Sequence, residues 1–217
     1  MEALVLEQMR KGLLQKRNSL TEWLQATPLG KKKVLLPVNK SPAEVMRQVH
    51  KLFIHNIRFE TFVTLFIGAF DSSTKTLTFC NAGHLPPLIL RNTKSKEGSL
   101  VMLHPTGAAI GLIEEAEFGE NTFELQYGDL FVLYTDGVTE ALNLENQEFG
   151  RERLTALGRQ VNTLPVKEIV QEIREALEEF SEGKPLADDT TLVVCRIAYQ
   201  TQRFNYRYRF QIRIFSL

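Results

Sequence analysis

The 217-residue chain is 43% hydrophobic and 24% charged, a balance that allows a buried core and excludes disorder as its main state. Its 26 Lys and Arg offset its 26 Asp and Glu, so the formal net charge is zero and nucleic acid is not an expected partner. Two cysteines, Cys80 and Cys195, make no disulfide framework and point to a reducing compartment, the cytoplasm.

Residues 2–26 read as a helix: Leu6, Met9 and Leu13 share one face, and Leu20, Trp23 and Leu24 form a second cluster. Pro28 and Gly30 stop it, and residues 28–40, with the Lys31-Lys32-Lys33 run and Pro37, read as a solvated connector. Ser41-Pro42-Ala43-Glu44 is a helix start: Ser41 caps, Pro42 takes the first helical position and Glu44 closes a capping box. This helix should run to about Ile57 and bury Val45, Val49, Leu52 and Phe53.

The residue types then change. Thr61–Phe70 is rich in β-branched and aromatic residues, Asp71-Ser72-Ser73-Thr74 is a turn, and Leu77–Cys80 is the return strand of a hairpin. Pro86-Pro87 interrupts, and short strands follow at Leu88–Leu90, Leu100–Leu103, Thr122–Leu125 and Leu130–Tyr134, with a polar loop over 92–99. After Gly137 the helical period returns in Arg151–Val161. It returns again from Pro165, where Val166, Ile169, Val170, Ile173, Leu177 and Phe180 lie on one side. Thr191–Ala198 is a last core strand. Helices, a run of strands, helices and a strand make an α+β protein rather than alternating βαβ units. In the tail, 199–217, Phe204, Tyr206, Tyr208, Phe210, Ile212 and Ile214 alternate with Arg203, Arg207, Arg209 and Arg213. The period of two predicts an added edge strand whose arginines discourage stray pairing; the same pattern also suits nucleic acid or an acidic partner, the less favoured reading.

No apolar run reaches the roughly 18 residues that span a bilayer, and the acidic N-terminus is not that of a secretory signal. Three segments can carry chemistry. An apolar strand delivers Asp136 to its end, immediately before Gly137, which permits close backbone or ligand approach; alone, Asp-Gly is a common turn dipeptide. Asp188-Asp189 precedes a buried strand. At ~4 Å and an effective dielectric near 20 their repulsion is on the order of 4 kcal/mol, which a divalent cation would remove; a solvated turn is the plainer alternative. Asn81-Ala82-Gly83-His84 ends a strand with a His that can act as an acid or a ligand, or simply hydrogen-bond.

Together the segments are more specific than apart. The Phe62–Asp71 strand, Asn81-Ala82-Gly83-His84 with Pro86-Pro87, Tyr134-Thr135-Asp136-Gly137-Val138-Thr139-Glu140, Phe149-Gly150-Arg151-Glu152-Arg153-Leu154 and Asp188-Asp189-Thr190-Thr191 occur in one order. That order resembles the SpoIIE-like branch of the PPM-type metal-dependent protein serine/threonine phosphatases, over about Ser41 to Ile197.

The resemblance implies a sandwich of two antiparallel sheets flanked by helices. It also implies hydrolysis of phosphoserine or phosphothreonine on a regulatory protein, such as an anti-anti-sigma factor, by water activated between two Mn²⁺ or Mg²⁺ ions. By motif match Asp136 and Asp188 would be metal ligands and Asp189 an outer or third-metal carboxylate. Gly137 would allow close approach, and Asn81 and His84 would brace the strand end. The family's earlier strand ending in Asp and its Asp-x-x-Gly-x-Gly segment have no counterpart here, since no Asp precedes Asp71. Residues 2–10 resemble the helix that follows them. The resemblance therefore implies a phosphatase domain over 1–198 that lacks its first strands, with at most one well-formed metal site. A catalytically inert module acting by protein binding is the alternative. An uncovered sheet edge would also favour a homodimer.

Overall fold

The computed structural model describes residues 2–10, 40–56, 62–91, 100–185, 190–202 and 205–216. In chain order the elements are β1 (Glu2–Arg10), α1 (Pro42–Asn56), β2 (Phe62–Asp71), β3 (Thr76–Ala82), β4 (Leu88–Leu90), β5 (Leu100–Met102), β6 (Asn121–Glu124) and β7 (Leu130–Tyr134). Then come α2 (Asp136–Thr139), α3 (Gly150–Gln160), α4 (Val166–Ser181), β8 (Thr191–Gln202) and β9 (Asn205–Ser216). They form two compact units: Met1–His84 with His104–Glu124, and Leu85–Leu103 with Leu125–Leu217.

The first unit holds an antiparallel sheet in the order β1-β2-β3-β6. Its helix begins as expected. The Ser41 N–H donates to Glu44 Oε2 at 2.9 Å, and the Glu44 N–H donates to Ser41 Oγ at 3.3 Å, a reciprocal cap that satisfies two otherwise orphaned donors. Ala43, Val45, Met46 and Phe53 of α1 pack with Val63, Leu65 and Ile67 of β2 and with Cys80 and Ala82 of β3. The hairpin turn is set by Asp71, whose Oδ1 accepts from the Ser73 N–H at 2.8 Å and from its hydroxyl at 2.6 Å.

One element differs from expectation. Residues 2–10 form a strand, not the start of a helix, paired with β2 from Glu2↔Phe70 to Arg10↔Phe62. Residues 11–26, and most of the connector, lie outside the described residues. The physical reason lies in β2, which is buried along most of its length and needs hydrogen-bond partners along its backbone. A ladder along the whole segment outweighs a local helical period carried by few apolar residues.

The second unit holds an antiparallel sheet in the order β5-β4-β7-β8-β9. Leu88, Leu90, Leu130, Val132 and Val194 pack against Leu154 of α3 and Val166, Ile169, Ile173 and Leu177 of α4. The apolar period of α4 thus faces the sheet, as its sequence predicts. Of the tail, residues 199–202 continue β8 and residues 205–216 form β9, paired with β8 from Thr191↔Ser216 to Gln202↔Asn205 at the edge of the five-stranded sheet. Among the described residues no helix is long and apolar enough to cross a membrane.

Both cysteines are free and fully buried, one in each unit. Burial raises the Cys80 thiol above its ordinary range, partly offset by the Thr106 hydroxyl, and pushes Cys195 up to about 12. Neither is a thiolate near neutrality, so neither should react with Ellman's reagent at about pH 8 in the native chain. Both should react fully after denaturation; a native thiol titrating within minutes would contradict this burial.

Candidate functional site

All five residues of β7 are buried, and the strand lies between β4 and β8. It delivers Thr135 and then Asp136, 4% and 2% exposed. There the chain leaves the sheet. The Val138 N–H donates to the Thr135 carbonyl at 3.0 Å and the Glu140 N–H to the Asp136 carbonyl at 2.7 Å, closing the single turn of α2. The Asp136 carboxylate Oδ1 accepts the Gly137 N–H at 3.0 Å. A carboxylate held this deep, on backbone fixed by a core strand, has the donor type and rigidity that hard divalent cations favour.

Thr135 also ties this corner to the start of β8. Its N–H donates to the Thr191 carbonyl at 3.0 Å, and its Oγ1 accepts the Thr191 N–H at 2.9 Å. Thr190, just before, is fully buried. Asp188 and Asp189 lie outside the described residues.

Asn81 and His84 come together in the other unit, both buried, at 0% and 1% exposure. The Asn81 Oδ1 accepts the His84 N–H at 2.9 Å, and its Nδ2 donates to the His84 carbonyl at 3.1 Å. Its backbone carbonyl accepts the Thr106 and Gly107 N–H groups at 2.8 and 3.2 Å. This clamp closes the turn through Gly83, which has φ +67°, and a Cβ there would stand 3.0 Å from the Ala109 nitrogen.

Among the described residues no group of three or more His, Cys, Asp and Glu side chains is placed to hold a metal ion. Asp136 suits such an ion by donor type and rigidity, as one ligand of a larger set.

The sequence reading passed over a further carboxylate. Asp129, 1% exposed, sits at the other end of β7 from Asp136. Its Oδ2 accepts the Gln126 N–H at 2.8 Å and lies 3.7 Å from Arg91 Nε. Burial raises its pKa above the ordinary 3.8, against the lowering effects of the Gln126 N–H and Arg91. Between the ordinary and the raised value the folded chain binds more protons than the unfolded one. The contribution to stability is therefore full below 3.8 and is lost as pH rises through the raised value. Urea titrations across that window should show wild type losing stability relative to Asp129→Asn as pH rises; a relative gain would reverse the sign argued here.

The comparisons with known proteins agree with this architecture. The family model described as stage II sporulation protein E (SpoIIE) matches residues 7–198. Protein IcfG of Synechocystis sp. is 34% identical over 132 residues, covering 61% of this chain and 20% of that protein. The phosphoserine phosphatase RsbU of Bacillus subtilis is 26% identical over 155 residues, covering 71% of this chain and 45% of that protein. The chain thus spans less than half the length of either relative.

Among solved structures, the PP2C domain of SiaA from Pseudomonas aeruginosa aligns with a TM-score of 0.67 at 16% identity, covering 89% of this chain and 85% of that one. The RsbU and RsbW domains of Rv1364c from Mycobacterium tuberculosis align with a TM-score of 0.68 at 21% identity, covering 92% and 52%. These likenesses establish the PP2C fold, with its two antiparallel sheets and helices. With the family model running through nearly the whole described fold, the chain belongs to the SpoIIE family, the SpoIIE-like branch of the PPM-type phosphatases.

Proposed function

We propose that this chain removes phosphate from phosphoserine or phosphothreonine on a regulatory protein of a sigma-factor pathway, an anti-anti-sigma factor or its equivalent. The observation that carries the reading is the corner at Asp136. A buried carboxylate is turned out of the end of a core strand, and its neighbour Thr135 is bonded to Thr191, into which Asp188-Asp189-Thr190 leads. The likeness to RsbU, a phosphoserine phosphatase, supports the substrate class.

In this reading Asp136 and Asp188 hold Mn²⁺ or Mg²⁺, with Asp189 as an outer carboxylate. When bound, the cation supplies a water nucleophile at neutral pH and neutralises charge on the phosphoryl oxygens. The chain's own residues do the positioning. The Gly137 N–H orients one oxygen of Asp136, the β7 core keeps that carboxylate from relaxing into solvent, and Asn81 holds the His84 turn rigid in the other unit.

The test is release of inorganic phosphate from a phosphoserine protein by the full chain with Mn²⁺. Hydrolysis that stops when EDTA removes the ion supports the reading. A well-folded chain that releases none points instead to the inert binding module.

A further inference from the structure

Thr135 performs an exchange that the ladder alone would not require. In a hydrogen-bonded antiparallel pair, each residue gives its N–H to the other's carbonyl. Thr135 keeps half of that pattern, its N–H donating to the Thr191 carbonyl at 3.0 Å. The return bond goes elsewhere: the Thr191 N–H donates to the Thr135 hydroxyl oxygen at 2.9 Å. The Thr135 carbonyl instead accepts the Val138 N–H at 3.0 Å, the bond that opens α2. The side chain therefore stands in for the main chain in the sheet, and this lets the main chain turn one residue before Asp136. Most of the groups involved are shielded from water: Thr135 and Asp136 are 4% and 2% exposed and Val138 is fully buried, while Thr191 is partly buried. A missing hydroxyl would not be replaced cheaply by solvent.

We infer that Thr135 is the positioning residue for the Asp136 carboxylate, acting through this exchange of hydroxyl for carbonyl. The inference deepens the functional reading above and rests on it. Without the hydroxyl, the Thr191 N–H has the Thr135 carbonyl as its natural acceptor. Drawing that carbonyl back into the ladder opens the Val138 bond, and Asp136 shifts with the first turn of α2. Serine keeps the oxygen; valine keeps the β-branched shape and loses it.

The experiment uses the full chain as wild type, Thr135→Val and Thr135→Ser. Mn²⁺ binding is read from the electron paramagnetic resonance signal of free ion, and amide hydrogen exchange is followed at Thr191 and Val138 without metal. The valine variant should bind Mn²⁺ about 10–100-fold more weakly, the usual cost of losing a group that orients a ligand, and both amides should exchange faster. The serine variant should behave as wild type in both measurements, which a general loss of stability at this position would not produce. Unchanged Mn²⁺ affinity in Thr135→Val, with wild type binding normally, overturns the positioning role and leaves the phosphatase reading standing. Unchanged amide exchange in Thr135→Val overturns the exchange itself. A wild-type chain that binds no Mn²⁺ removes the functional reading, and this inference with it.

Discussion

Asp136→Asn should lose Mn²⁺-dependent phosphate release by about 10³-fold while remaining folded. The size follows from what changes. Asparagine keeps the shape of the side chain and an oxygen that can accept the Gly137 N–H, so the local backbone has no reason to move. It removes the negative charge, and with it most of the attraction for a hard cation. Metal assistance is worth several kcal/mol in a transition state, and about 4 kcal/mol corresponds to three decades in rate. Stability gives a second readout that does not depend on turnover. Asp136 is 2% exposed, and a neutral side chain is cheaper to bury than a charged one. Without metal the variant should therefore melt no lower than wild type. Added Mn²⁺ should raise the wild-type melting temperature by mass action and leave the variant where it is. Wild-type rates in Asp136→Asn, or equal shifts with Mn²⁺, would remove Asp136 from the metal site.

Where the sequence was read correctly, the cause was local. The Ser41 cap forms because donor and acceptor sit three residues apart, and the Asp71 turn closes within two residues. The strand before Asp136 is legible because five apolar residues in a row, Leu130 to Tyr134, lead into Thr-Asp-Gly. Where it was misread, the cause was a distant partner. Residues 2–10 have a weak helical period, and their strand is decided by β2, some sixty residues further on. Thr135 stood inside a quoted motif without a role, because its role exists only in register with Thr191, 56 residues away. Asp129 received no role from its neighbours in sequence, because its burial depends on the strands that surround β7. Of the candidate site, the residue types were legible and the hydrogen bonds that aim them were not. The bonds between Thr135 and Thr191 join segments that the sequence keeps apart, and the local bonds at Asp136 and Asn81 depend on backbone turns that residue types alone do not specify.

Asn81→Ala should be the most destabilising single change among the candidate residues, by on the order of 3 kcal/mol. The side chain is fully buried and spends both of its polar atoms on the backbone of His84. Truncation leaves a buried N–H and a buried carbonyl without those partners, at about 1–3 kcal/mol each, where water has poor access. For a chain of this length that lowers the melting temperature by roughly 10 °C. Asn81→Asp separates hydrogen bonding from volume. Its carboxylate can still accept the His84 N–H, but its second oxygen then faces the His84 carbonyl in place of a donor. Near neutral pH this variant should be at least as unstable as alanine. Acidification should restore part of its stability, because a protonated carboxyl regains a donor for that carbonyl. Thermal melts of the three proteins at two pH values decide the matter. If the aspartate variant tracks alanine at both, the carbonyl-facing donor is not what holds the turn.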